Sequence, residues 1–324
     1  MTSTGNQNYS PFYFLPSKEF ALLWHPKCAC TSASTWIASQ VEGLEDSKFP
    51  QRPRVFLDRE GYLFDNLDNL VRLCKDGSIK NLAVISRDPL SRMLSSYVSK
   101  FVIRTMSDHQ VVIPEVKKYE AFASRFANDC SDSKIFLHGM KPSIVDLPRQ
   151  EILVGTPSKR RRLGEAKAQR GDVRGLSLAY FLFFINHPKT NALGLNPHFR
   201  PQIACKHQFD KINLIKEVVE SFSVIRVESF DDDLIRASDQ YGLMALKVSG
   251  NKTRYPDGWL QSDNKDTVLM PSEELVKKKL VPTRTALIEY LIAQSDQDCM
   301  PAFKYDYMLF DYALPEGLVA AWSK

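Results

Sequence analysis

The chain reads as an α/β protein whose central, mainly parallel β-sheet is flanked by helices, and three observations carry that expectation. Two segments, Lys18 to Val41 and Asn81 to Phe101, each run as an apolar strand, a tight loop and a helix. A third apolar stretch, SVIRV at Ser223 to Val227, leads into an acidic helix start at Ser229 to Asp233. Strands that alternate with helices are joined by crossovers, which set neighbouring strands parallel and cover both faces of the sheet. Ligands of such sheets bind at the carboxyl ends of the strands.

In the first segment, KEFALLW (Lys18 to Trp24) is an apolar run stopped by Pro26, the pattern of a buried strand. TSASTWIASQV (Thr31 to Val41) follows as a helix, with Ser and Thr in its first turn as caps. In the second segment NLAVIS (Asn81 to Ser86) is the strand, Asp88 is placed to cap and Pro89 to take the first helical position. Leu90, Met93, Leu94, Tyr97, Val98 and Phe101 then recur at helical spacing as an apolar stripe, which puts Ser91, Arg92, Ser95 and Ser99 on the opposite side. Between about residues 105 and 175 the periodicity weakens, apart from a helix near Val116 to Asn128. This stretch is expected to be an insertion carrying substrate-specific elements. Further helices are expected at Leu176 to Ile185 and Thr283 to Ala293. With 324 residues, 44% of them apolar, and no Gly/Ser- or Pro-rich linker, one domain over 1–324 is expected.

The net charge of +5 is unevenly placed: Lys159 to Arg174 holds seven basic residues against Glu165 and Asp172. A solvated loop is the commoner meaning of such a run, and attraction of a polyanion is the sharper one. No apolar run reaches the roughly 20 residues of a membrane span, and MTSTGNQNYS lacks the basic and apolar regions of a signal peptide. A cytoplasmic chain without a membrane span is expected. Six cysteines at 28, 30, 74, 130, 205 and 299 do not make a disulfide scaffold at this length, so reduced thiols are expected.

The stretch WHPKCACTSAST, Trp24 to Thr35, carries the chemistry. Tetrahedral zinc needs four ligands, and no second Cys/His pair completes Cys28 and Cys30. A redox pair favours two intervening residues, not one. An anion cradle fits better. A strand-to-helix turn aims backbone N–H groups outward, and the helix end adds roughly half a positive charge. Ala29, Ser32 and Ala33 are small enough for close approach, Lys27 adds a full charge, and Thr31, Ser32 and Ser34 add hydroxyls. The pattern is not the glycine-rich phosphate loop, in which the lysine comes last. In the second segment, Arg87 at the strand end and Ser95 two turns along the helix make a second phosphate site, since guanidinium can hold two phosphate oxygens at once.

Together the segments resemble the sulfotransferases that use 3′-phosphoadenosine 5′-phosphosulfate (PAPS). PKCACTS looks like the 5′-phosphosulfate loop and SRDPLSRMLSSYVSKF like the 3′-phosphate motif, with R-D-P followed by R-x-x-S-x-Y. The closer resemblance is to the chondroitin- and dermatan-type carbohydrate branch. NPHFRPQ at Asn196 to Gln202 is similar to its H-x-x-P-Q element, and YDYMLFDY near the end to its D-F-x-L-F-x-Y ending. The resemblance implies a P-loop-like sulfotransferase fold and PAPS as donor, with the bisphosphate PAP as product and no metal. It implies a carbohydrate or other small polar acceptor, no nucleic-acid partner, and nucleotide contacts from Lys27, Cys28, Ala29, Cys30, Thr31, Ser32, Arg87 and Ser95. It also implies a late basic loop, Asn251, Lys252 and Arg254, closing over the nucleotide. Lys27 is expected to act in catalysis on the leaving phosphate. His198 is the expected base through the H-x-x-P-Q match, with His25 and Glu228 as alternatives and His207 and Asp210 as remoter ones.

Two other functions use the same features. An ATP-dependent kinase would place its phosphates in the first turn and require magnesium, whereas a nucleic-acid-binding protein would use residues 159–174 and show steep salt dependence.

Overall fold

The computed structural model describes residues 9–41, 50–103, 177–186, 200–246, 255, 257–293 and 300–318. The expected insertion and its helix at 116–128, the basic run at 159–174, and His198, Asn251, Lys252 and Arg254 lie outside the described residues.

The elements run β1 (Tyr9–Leu15), β2 (Phe20–Leu23), α1 (Cys30–Ser39), α2 (Pro53–Arg59), β3 (Leu63–Asn66), α3 (Leu67–Lys75), β4 (Asn81–Ser86) and α4 (Pro89–Tyr97). They continue with α5 (Leu178–Asn186), α6 (Lys206–Val218), β5 (Ser221–Arg226), α7 (Phe230–Tyr241), β6 (Leu260–Ser262), α8 (Ser272–Lys278), β7 (Leu280–Pro282), α9 (Arg284–Ala293) and α10 (Lys304–Phe310). Two compact units result. The first comprises Met1–Arg92, Asn191–Thr253 and Ala302–Ala313; the second comprises Met93–Thr190, Arg254–Pro301 and Leu314–Lys324. Among the described residues no helix is long and apolar enough to cross a membrane.

The first unit is an α/β structure around a five-stranded sheet in the order β3-β1-β2-β4-β5. β2, β4 and β5 are parallel, with Leu23 opposite Val84 and Ser86 opposite Arg226. The sheet is mixed, however, and the expectation of a mainly parallel one is corrected: β1 pairs antiparallel with both β2 and β3. The cause is local. A single turn at Pro16–Lys18, closed by Glu19 in a left-handed conformation (φ 47°), joins β1 to β2. A connection that short cannot cross over the sheet, so the pair must be a hairpin. Pro11 and a register shift between Tyr9 and Phe12 interrupt the strand pattern of β1, which hides it in the sequence.

All four residues of β2, and five of the six in β4, are buried, because the sheet is covered on both faces. Alternate residues serve opposite cores. Phe20, Leu22, Ala83 and Ile85 pack with Trp36 and Ile37 of α1 and Leu234 and Tyr241 of α7. Ala21, Leu23, Leu82 and Val84 pack with Leu67 and Leu70 of α3, Ile212 and Ile215 of α6, and Phe310 of α10. Each such side chain, fully buried, contributes about 1.5–3 kcal/mol. The Trp36 indole N–H donates to the Met244 carbonyl at 3.0 Å, which ties α1 to the segment after α7.

α4 has the expected apolar stripe buried, but its other side is buried as well: Arg92 is 1% exposed, Ser95 6% and Ser96 0%. A helix lying inside a fold is enclosed on the side opposite its apolar stripe too, which the stripe alone does not reveal.

In the second unit Tyr97, Phe101 and Phe181 pack their rings together at centroid distances of 5.3–6.1 Å. β6 and β7 form a short parallel pair.

Candidate functional site

The carboxyl ends of β2, β4 and β5 lie along one edge of the sheet, because the three strands are parallel and in register. The segment after each strand therefore emerges at that edge.

After β2, the chain turns through Trp24 to Ala29 into α1. The Cys28 N–H donates to the His25 carbonyl at 3.1 Å and closes the turn. Lys27 (φ 70°) and Ala29 (φ 47°) are both left-handed, and Cys28 between them is not. A left-handed residue other than glycine costs about 1–2 kcal/mol, and such outliers concentrate where function imposes a backbone shape. Alternating handedness also turns successive N–H groups toward a common concavity, the geometry that binds anions.

Ala29 is the N-cap of α1 and provides no side-chain cap. This corrects the expectation of Ser/Thr capping: the Ser34 and Thr35 hydroxyls both donate at 2.9 Å to the Thr31 carbonyl, inside the helix. The N–H groups of Cys30, Thr31 and Ser32 belong to the first turn, which has no acceptor within the helix. Thr31 is exposed, whereas Ser32 is 2% exposed. Cys28 shapes the turn: its N–H is held by His25, and its buried thiol donates to Gln202 Oε1 at 2.8 Å. Burial pushes that thiol up to about 12, with Arg92 and Arg87 pulling it back, so it stays protonated at neutral pH.

After β4, Arg87 begins the second turn. Its backbone N–H donates to Gln202 Oε1 at 3.0 Å, and its guanidinium Nη1 donates to the Lys27 carbonyl at 3.1 Å. Asp88 caps α4 by accepting from Ser91 N–H at 2.8 Å. The Asp88 N–H in turn donates to Glu228 Oε1 at 2.9 Å. Glu228, just beyond β5, also accepts from the Tyr312 hydroxyl at 3.1 Å, and Tyr312 meets Ser86 Oγ at 3.0 Å. With its one proton given to Glu228, the Tyr312 hydroxyl accepts from Ser86. Burial and then the neighbouring Glu228 raise the Tyr312 hydroxyl well above its ordinary range. The two turns therefore differ. The first N–H groups of α1 have no acceptor within the helix, whereas the start of α4 is occupied by the Asp88 and Glu228 carboxylates, with the Arg87 guanidinium beside them on the Lys27 carbonyl.

Beneath the turns lies a buried polar layer. Arg92 donates to the Pro26 carbonyl at 3.1 Å and to the Arg200 carbonyl at 2.6 Å. Asp306 of α10, fully buried, accepts from Gln202 N–H at 3.0 Å and Ile203 N–H at 2.6 Å. Burial pushes Asp306 up to about 6, against the pull of Arg92 and the two N–H groups. His25 is 3% exposed, and burial, then Arg92 and Arg200, holds it well below the ordinary imidazole value, hence neutral. Of the remoter alternatives, His207 is exposed on α6, and Asp210 on the same helix pairs with Lys206 at 2.7 Å.

Of the residues expected from sequence, the fold brings Lys27, Cys28, Ala29, Cys30, Thr31, Ser32 and Arg87 together. Ser95 lies on α4 two turns from Arg87, in the part of that helix assigned to the second unit. The sequence reading missed Gln202, Arg92, Asp306 and Tyr312 as individuals. Their signal was nonetheless present, because Gln202 closes NPHFRPQ and Asp306 and Tyr312 belong to YDYMLFDY. Among the described residues no group of three His, Cys, Asp or Glu side chains is placed to hold a metal ion. The described cysteines, Cys28, Cys30, Cys74 and Cys205, are free thiols.

Comparison of the chain with protein-family models, with curated proteins and with solved structures gives no match.

Proposed function

We propose that the chain is a sulfotransferase that moves the sulfuryl group of PAPS to a hydroxyl of a carbohydrate or other small polar acceptor, on a P-loop-like variant of the α/β fold. The observation that carries the reading is the junction of the two turns. Arg87 Nη1 reaches the Lys27 carbonyl at 3.1 Å, and Gln202 Oε1 accepts from both Cys28 and Arg87. The two segments that resemble a phosphosulfate loop and a 3′-phosphate motif therefore sit side by side, which supports reading them as the two ends of one nucleotide site.

In this reading Lys27 and the first N–H groups of α1 hold the phosphosulfate end, and Arg87 holds the 3′-phosphate. PAPS supplies an activated sulfuryl group: the acceptor oxygen forms the new S–O bond as the bond from sulfur to the 5′-phosphate oxygen breaks, and PAP leaves. The protein contributes position and charge. Lys27 and the start of α1 stabilise the negative charge that grows on the leaving phosphate. His198 takes the acceptor proton. Glu228 has both carboxylate oxygens engaged, with Asp88 N–H and the Tyr312 hydroxyl, and serves to hold the second turn.

Calorimetry with PAP tests the assignment. Lys27→Ala and Arg87→Ala are each expected to weaken binding by roughly 10- to 100-fold, the worth of a charge-assisted hydrogen bond. Unchanged affinity in both variants overturns it. His198→Ala is expected to lower turnover by about 10²–10⁴ with PAP binding kept; near-normal turnover assigns the base to another residue.

A further inference from the structure

One carboxamide joins the two turns. Gln202 is 1% exposed, and its Oε1 accepts from Cys28 Sγ–H at 2.8 Å and Arg87 N–H at 3.0 Å. Both partners are donors, so the amide cannot be reversed without setting its NH₂ group against them. The backbone of the same segment is fixed from below. Asp306 accepts from the N–H groups of Gln202 and Ile203, and Arg92 holds the Arg200 carbonyl while also holding Pro26, in the first turn. Gln202 Nε2 is buried and has no hydrogen-bond partner among the described residues. An unmet buried donor costs about 1–3 kcal/mol, so the amide is held there in spite of its NH₂ group. The acceptor oxygen is what the position provides.

We propose that Gln202 is a positioning residue that fixes the spacing between the Lys27 and Arg87 turns, and thereby makes the site selective for ligands anionic at both ends over ligands anionic at one. The inference rests on the reading of the two turns as opposite ends of a single nucleotide site. Its physical basis is that two subsites reward one ligand together only when their separation is held. The Arg87–Lys27 contact remains when Gln202 is replaced, so the turns loosen without parting.

Gln202→Met keeps the volume and removes the acceptor. Calorimetry compares three probes: adenosine 3′,5′-bisphosphate, adenosine 5′-monophosphate and adenosine 3′-monophosphate. The variant is expected to lose about 10- to 100-fold in affinity for the bisphosphate and less than about 3-fold for either monophosphate. A purely structural role would weaken all three alike, and that result, or an unchanged bisphosphate affinity, overturns the inference. Cys28→Ala removes one donor from the other side of the contact and keeps the test open should Gln202→Met not fold. It is expected to reduce the same selectivity by a smaller factor, and to add nothing on top of Gln202→Met. Wild-type protein that binds none of the three probes removes the nucleotide reading and this inference with it, an outcome distinct from wild-type binding with unaltered selectivity in the variants.

Discussion

Asp306 and His25 lie in the same buried layer and respond to pH in opposite senses. The Asp306 carboxyl titrates at about 6 in the folded chain against an ordinary 3.8. Between those values the folded state holds more protons than the unfolded one, so stability falls as pH rises, by about 2–3 kcal/mol in all. His25 has its folded value depressed below the ordinary 6.5. Its contribution is complete above pH 6.5 and is lost as pH falls below that value. Urea midpoints at pH 4.5 and 6.5 separate the two. Asp306→Asn is expected to shift the wild-type change toward lower stability at acid pH, and His25→Gln to shift it the other way; profiles parallel to wild type in both variants contradict the assignments. The places of Lys27 and Arg87 just beyond strands were legible in the sequence, because each follows an apolar run that suits a buried strand. Arg92 and Asp306 were not, since an arginine on the polar side of a stripe and an aspartate in a tyrosine-rich ending carry no mark of being buried. Only the packing of α4 and α10 decides that.

The helices show where backbone strain is incidental and where it shapes a site. α8, in the second unit, ends with Lys279 left-handed (φ 51°) and exposed at its C-cap. Lys279→Gly is expected to raise stability by about 0.5–1 kcal/mol, visible as a higher thermal midpoint. An unchanged or lower midpoint would show that the lysine side chain holds the cap. At Lys27 and Ala29 the same backbone state begins a helix, and relief of strain there would alter the concavity itself. The elements beside the turns were legible: β4 runs Asn81–Ser86 as read, and α1 and β5 lie within a few residues of the expected bounds. β1 was missed because Pro11 interrupts it, and β3 because its four residues form a half-buried edge with no apolar run. α6 was missed because a helix packed at an angle buries scattered positions, here Gln208, Ile212 and Ile215, and shows no clean stripe.

At the scale of the first unit, five short stretches of sequence, around Lys27, Arg87, Gln202, Glu228 and Asp306–Tyr312, are joined by hydrogen bonds at one sheet edge. The α/β class was legible from the alternation of strands and helices. The mixed sheet was not, because strand direction depends on connection length, and the deciding connection is a single turn at Pro16–Lys18. In the proposed sulfotransferase reading, Lys27 and the start of α1 would take the part that a divalent ion plays in ATP-dependent phosphoryl transfer. Activity is therefore expected to be unaffected by EDTA, and a strict magnesium requirement would favour the kinase alternative.

The thiol of Cys28 meets its acceptor 174 positions further along the chain, and Gln202 is anchored by a carboxylate 104 positions beyond that. At about 5–20 residues added per second, a ribosome takes on the order of tens of seconds to deliver all three. Throughout that interval the nascent polypeptide carries the β2 and β4 loops with their polar underside still in water. The site is thus among the last parts of the unit to be completed during synthesis.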